Sequence, residues 1–168
     1  MKQFIPLFLI LLFILVDFDR GMAQSDSLNW NDFNSAVNAT DNSGKTLFLF
    51  FEAEWCGFCK QMRSEIFPLD SVRDKVGEGF IPVAIDIESD EKIVYQDKEM
   101  SQKSFSHQMR IDATPTIMFM DNDGEVIGRY RGFADENEFT LLLDYISGGD
   151  VDNVNFAEYK KRNNGSQN

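Results

Sequence analysis

The chain has 168 residues, 43% of them hydrophobic and 16 of them Phe, enough for one compact domain with a core and too apolar for general disorder. Its formal net charge of −12 repels phosphates, which argues against nucleic acid and anionic lipid as partners and suits a neutral or basic protein contact. With only two cysteines, a disulfide-dense miniprotein is excluded.

The N-terminus reads as an export signal. Lys2 precedes an apolar run from Phe4 to Val16, and Gly21-Met22-Ala23 supplies small residues for cleavage after Ala23. The run is shorter than the ~20 residues that span a bilayer, and an uncleaved anchor is the minor alternative. Removing residues 1–23 takes away Lys2, Arg20, Asp17 and Asp19, two charges of each sign, so the net charge is unchanged. The expected organisation is a signal peptide over 1–23, a domain over 24–148 and a polar, flexible tail over 149–168. Phe156 and Tyr159 are the residues of that tail suited to docking.

Within the domain, Ser27 can cap a helix carrying Trp30, Phe33, Ala36 and Val37 on one face, ended by the polar run Thr40 to Lys45. Leu47 to Phe51 is a continuous apolar run, as in a strand covered on both faces. A helical pattern follows from Gly57 to Phe67 and is interrupted at Pro68, then resumes through Val72 and Val76. Phe80 to Ile87 reads as a second strand, with Pro82 at odds with its first residues. Glu91 to Met109 has helical propensity, with Met100, Phe105 and Met109 inward. Thr116 to Met120 and Glu125 to Arg131 flank Asp121-Asn122-Asp123-Gly124, a hairpin signal, and Asp135 to Ile146 is an amphipathic helix. This order implies an α/β fold with a mixed sheet flanked by helices.

The chemistry concentrates at Glu54-Trp55-Cys56-Gly57-Phe58-Cys59-Lys60. Cys56 falls where a strand ends and a helix begins, so unpaired N–H groups and the helix dipole favour its thiolate, the attacking species. Cys59, one turn later on the same face, is placed to attack a mixed disulfide formed at Cys56. A structural disulfide here would close a very short loop and stabilise little. A zinc site lacks ligands: beyond the two cysteines there is one histidine, His107, in a charged stretch that suits a surface position. Met100, Met109, Met118 and Met120 suit packing before ligation, so no metal or cofactor is expected. Asn38-Ala39-Thr40 and Asn164-Gly165-Ser166 match the glycosylation pattern, which has meaning only in a eukaryotic source.

From about Leu47 to Ser147 the chain resembles the thioredoxin family, on the strength of the Trp55-Cys56-Gly57-Phe58-Cys59 segment together with Thr114-Pro115-Thr116, the hairpin and Gly132. The resemblance implies a thioredoxin fold and a thiol–disulfide oxidoreductase with a redox-active Cys56–Cys59 disulfide, Cys56 as nucleophile and Cys59 as resolving thiol. It also implies a cis bond at Thr114-Pro115, offering backbone hydrogen bonds to an extended substrate. Trp55, Gly57, Phe58 and Gly132 are the other expected substrate contacts, Trp55 as an aromatic wall and Gly132 as a point of close approach or simply a turn. The implied partners are disulfide-containing exported proteins and a membrane-borne dithiol donor, with the protein monomeric, and periplasmic if the source is Gram-negative or otherwise secreted.

Two departures stand out. Thioredoxins carry a buried Asp six residues before the first cysteine, where this chain has Phe50. Glu52 shares the strand parity of Phe50 and lies about 6–7 Å nearer the site, either as a replacement acid/base for Cys59 or as a strand-end carboxylate facing water. Phe58 stands where thioredoxin has Pro, which leaves the direction of reaction open between reductase and oxidase or isomerase, with a non-catalytic peptide-binding or chaperone module as the alternative of another class. Oxidants of this fold often carry His there, so its absence leans towards reduction.

Overall fold

The computed structural model describes residues 28–164. Its elements are α1 (Phe33–Ser43), β1 (Thr46–Glu52), α2 (Gly57–Gln61) continuing as a π-helical turn (Met62–Ile66), α3 (Asp70–Gly79), β2 (Phe80–Asp86), β3 (Lys92–Tyr95), β4 (Lys98–Ser101), α4 (Gln102–Gln108), β5 (Thr116–Met120), β6 (Val126–Arg131), α5 (Glu136–Ser147), a 3-10 turn (Asp150–Asp152) and α6 (Phe156–Asn164). The main sheet has the order β2-β1-β5-β6, with β1 parallel to β2 and the other pairs antiparallel. This is the mixed, helix-flanked sheet expected.

β1 is apolar from Leu47 to Phe51 because both of its faces are covered there. Phe48 and Phe50 join Met62, Phe67, Val72, Val76, Phe139 and Leu142 on one side, whereas Leu47, Leu49 and Phe51 join Phe33, Val83, Ile85, Ile93 and Phe105 on the other. Pro82 is tolerated because β2 is an edge strand; beside it on the outer side lies Asn31, whose backbone N–H donates to the Pro82 carbonyl at 2.9 Å.

Three segments differ from the sequence reading. The first helix begins at Phe33, capped by Asp32, whose side chain accepts from the Ser35 N–H at 2.9 Å; Ser27 lies outside the described residues. Trp30 therefore precedes the helix, and it packs on the opposite side of the sheet from Phe33, against Phe48, Phe50 and Phe67.

Residues 92–101, expected to be helical, form the β3–β4 hairpin. Ile93 and Tyr95 are buried while Lys92 and Val94 are exposed, the alternation of a half-covered strand, and Gln96 and Asp97 both take positive φ in the turn. Only from Gln102, capped by Ser101, does the segment become helical. The Gln102 side chain ties this insertion to the sheet, accepting from the Asp86 N–H at 2.8 Å and donating to Glu91 at 3.0 Å.

Where composition suggested a mobile tail, residues 150–164 form the 3-10 turn and α6. The ring of Tyr145 meets Phe156 at 5.5 Å and Tyr159 at 5.1 Å, and its hydroxyl donates to the Val154 carbonyl at 2.7 Å. Phe156 and Tyr159 thus dock, as their apolar character suggested. The expected signal peptide lies outside the described residues.

Candidate active site

β1 delivers the chain from the core to Glu52, and the turn Ala53-Glu54-Trp55 passes it to α2, with Cys56 at the helix N-cap. Cys56 and Cys59 are joined as a disulfide, their Cα atoms 5.3 Å apart. The Cys56 sulfur also accepts the Cys59 backbone N–H at 3.1 Å, so one of the orphan donors of the helix start is already aimed at it. Both sulfurs sit in shelter, Cys56 being 4% and Cys59 1% exposed. On either side of them the surface is open and aromatic: Trp55 is 64% and Phe58 60% exposed. Trp55 therefore stands out from the surface beside the cysteines rather than being buried against its neighbours.

The antiparallel pairing of β1 with β5 places Phe51 opposite Thr116, so the Thr114-Pro115 segment lies at the same end of the sheet as the cysteines. Its peptide bond is cis. Pro115 is buried, and the Thr114 hydroxyl is buried with no hydrogen-bond partner among the described residues. β6 brings Gly132 to this end too, since Arg131 pairs with Thr116 and the Gly132 N–H donates to the Pro115 carbonyl at 2.9 Å. Gly132 has φ +103°, a conformation that side-chain-bearing residues rarely adopt. The next residue, Phe133, lies 5.9 Å from the Phe58 ring and ties this loop to α2. The sequence reading missed Phe133, whose only signal is its place beside Gly132. Among the described residues no group of His, Cys, Asp and Glu could hold a metal ion, and His107 is exposed at the end of α4.

Behind the disulfide, a cleft of about 250 Å³ is lined by Glu52, Ala53, Glu54, Cys59, Lys60, Arg63 and Asp86. Glu52 neither faces open water nor stands alone. Arg63 grips it with both arms of the guanidinium, Nε donating to Oε2 at 2.6 Å and Nη2 donating to Oε1. Arg63 is a second residue that the sequence reading missed; it lies four positions after Cys59, on the same helical side.

A family model described as a thioredoxin-like domain matches residues 33–147. The chain belongs to the thioredoxin-like family. Its two cysteines are joined across a Cys-x-x-Cys at the helix start, the arrangement that thiol–disulfide exchange requires. Among curated relatives, the thiol:disulfide interchange protein DsbD of Photorhabdus laumondii is 28% identical over 70% of the chain. Only 19% of that protein is covered, so the chain spans about a fifth of the length of this relative. Thioredoxin-1 of Drosophila melanogaster is 31% identical, with 67% of the chain and 88% of that protein covered. Among solved structures, a thioredoxin-fold protein from Helicobacter pylori aligns with a TM-score of 0.61 at 21% identity, over 75% of this chain and 88% of that one. That likeness shows the fold. Among the described residues no helix is long and apolar enough to cross a membrane.

Proposed function

We propose that this protein reduces disulfides of exported proteins, with Cys56 as nucleophile and Cys59 as resolving thiol. In the reduced enzyme the Cys56 thiolate attacks one sulfur of a substrate disulfide; a Cys56–substrate disulfide forms and the other substrate sulfur leaves as a thiolate. Cys59, deprotonated, then attacks the Cys56 sulfur, releases the second substrate thiolate and re-forms the Cys56–Cys59 disulfide. Two electrons pass to the substrate, and a dithiol donor must return them. The helix-start N–H groups stabilise the Cys56 thiolate, and Glu52 takes the proton that Cys59 loses.

The observation that carries this reading is the disulfide at the N-terminus of the α2 helix, at the same sheet end as the cis bond of Thr114-Pro115. In such a setting an extended substrate can hydrogen-bond to the Thr114 backbone, while Trp55, Gly57, Phe58 and Gly132 border its path. Export is supported by the Lys2-to-Ala23 pattern, and a membrane-borne dithiol donor by the likeness to DsbD proteins. The compartment would be the periplasm in a Gram-negative source. The test is insulin reduction with dithiothreitol as donor. Cys56→Ser should abolish it, and Cys59→Ala should accumulate mixed disulfides on Cys56; undiminished turnover by Cys56→Ser would overturn the assignment. A reduction potential near −270 mV supports a reductase, and one near −120 mV an oxidase.

A further inference from the structure

The missing buried acid at position 50 is answered by a pair rather than by one residue. Glu52 is 19% exposed at its side chain and reaches the cleft that borders Cys59, but a carboxylate at a strand end has free rotamers and a route to water. What removes that freedom is Arg63. Its guanidinium carbon lies 4.6 Å from the centroid of the Trp30 ring and 5.8 Å from that of Phe50, so the planar group is backed by aromatic faces before it engages Glu52. A bidentate fork fixes both carboxylate oxygens in direction as well as distance. Arg63 is itself placed by the π-helical turn Met62–Ile66, in which the Phe67 N–H reaches back to the Met62 carbonyl at 2.9 Å. Such single turns rotate the residues they contain relative to a continuous α-helix and recur at functional sites.

We propose that Arg63 is a positioning residue for the resolving step: stacked on Trp30, it holds the Glu52 carboxylate at the cleft beside Cys59, where that carboxylate takes the Cys59 proton through water. This rests on the reading of Cys59 as resolving thiol. The cleft volume is ample for a water molecule, and the charged groups among its lining residues offer that water hydrogen-bond partners. The other charged groups facing Cys59 there are Glu54 from the turn, Lys60 from α2 and Asp86 from the end of β2, which is the cross-strand neighbour of Glu52. Asp86 is turned to its own loop, accepting the Glu88 N–H at 2.9 Å, and Glu54 and Lys60 lie at the exposed rim. Glu52 is the carboxylate in the cleft that a cation holds by two hydrogen bonds. The balance is simple: the Cys59 S–H bond breaks and its proton passes to Glu52 and then to solvent, the sulfur electron pair forms the bond to Cys56, and the Cys56–substrate S–S bond breaks as the substrate sulfur leaves as a thiolate.

The test separates capture from release. Reduced protein is mixed with a disulfide-bonded model peptide between pH 5 and 9, quenched with acid, and the Cys56–peptide adduct is followed by mass spectrometry, with circular dichroism checking each variant's fold. Arg63→Gln should capture peptide at the wild-type rate yet release it about tenfold more slowly at neutral pH, the release limb of the pH profile moving upward. Glu52→Gln should do the same, the double variant no worse than either, and Arg63→Lys should recover part of the loss. Wild-type release by Arg63→Gln across the pH range, or additive losses in the double variant, would overturn the positioning role. Absence of any adduct on Cys56 in Cys59→Ala would instead overturn the assignment of the nucleophile.

Discussion

Restoring the family's carboxylate with Phe50→Asp should damage this protein rather than improve it. Phe50 is fully buried, its ring 4.9 Å from Phe67 and 5.9 Å from Trp30. Losing a buried Phe costs about 3–5 kcal/mol, and an imperfectly paired polar group left in its place adds about 1–3 kcal/mol. The sum, about 4–8 kcal/mol, is a large part of the ~5–15 kcal/mol that holds a domain together. At about 2–4 °C per kcal/mol for a chain of this size, Tm should fall by about 10–30 °C. The loss also has a pH signature. Burial disfavours the charged carboxylate, so the introduced acid has a higher folded than unfolded pKa, and the variant should be less impaired at pH 4 than at pH 7. Phe50→Leu, which keeps an apolar side chain, should cost about 1.5 kcal/mol or less and show no such pH dependence. Thermal melts followed by circular dichroism at both pH values read the effect, with insulin reduction beside them. If Phe50→Asp melted within a few degrees of the wild type and turned over faster, the aromatic core would not be what excludes an acid from this position.

Gly132→Ala should cost about 1–3 kcal/mol through backbone strain alone, since φ is +103° and the space where a Cβ would go is empty. Because the Gly132 N–H holds the Pro115 carbonyl, KM for a peptide disulfide should rise more than kcat falls; a gain in Tm, as at an unstrained glycine, would refute this. Stability should also fall in alkali. Burial, then Glu138, pushes the Tyr130 phenol well up, and burial also raises Tyr145 and Tyr159, so their contribution is full below pH 10, the ordinary value, and is lost as pH climbs through the raised folded values. Melts from pH 8 to 11.5 with the 295 nm phenolate absorbance should show a plateau and then a decline, and tyrosines titrating freely at pH 10 with no loss of stability would contradict it.

What the sequence disclosed and what it hid have separate physical causes. The five apolar residues Leu47 to Phe51 are a run of the kind found in a strand with two covered faces, and the Asp-Gly turn and the periodicity of Phe139, Leu142, Leu143 and Ile146 are local signals that tertiary packing reinforces. The β3–β4 hairpin was hidden because Gln96 and Asp97 take positive φ without the glycine that announces such turns, and because Glu91 to Met109 is rich in helix formers. Capping chemistry decides the start of α1 at Asp32, and α6 is held by contacts with Tyr145 from another helix, which no local pattern contains. At the site, Cys56 and Cys59 were legible because their spacing is itself the chemistry. Arg63 and Phe133 were not, since their partners Glu52 and Phe58 come from separate elements or across a loop.

The departures at the site hang together. With an aromatic residue at position 50, the interior beside Cys59 is too apolar for an isolated carboxylate, so a carboxylate is tolerated only at the strand end, at Glu52, where a cation can reach it. The cation that reaches it must lie across the aromatic cluster, and Trp30, entering ahead of α1, supplies the surface on which the Arg63 guanidinium rests. Phe50, Trp30, Arg63 and Glu52 therefore form one unit linked by contacts, and replacing any one changes the conditions under which the others are stable. A carboxylate transplanted to position 50 would compete with Glu52 for Arg63, which is why that substitution should lower turnover even in a background stabilised enough to fold.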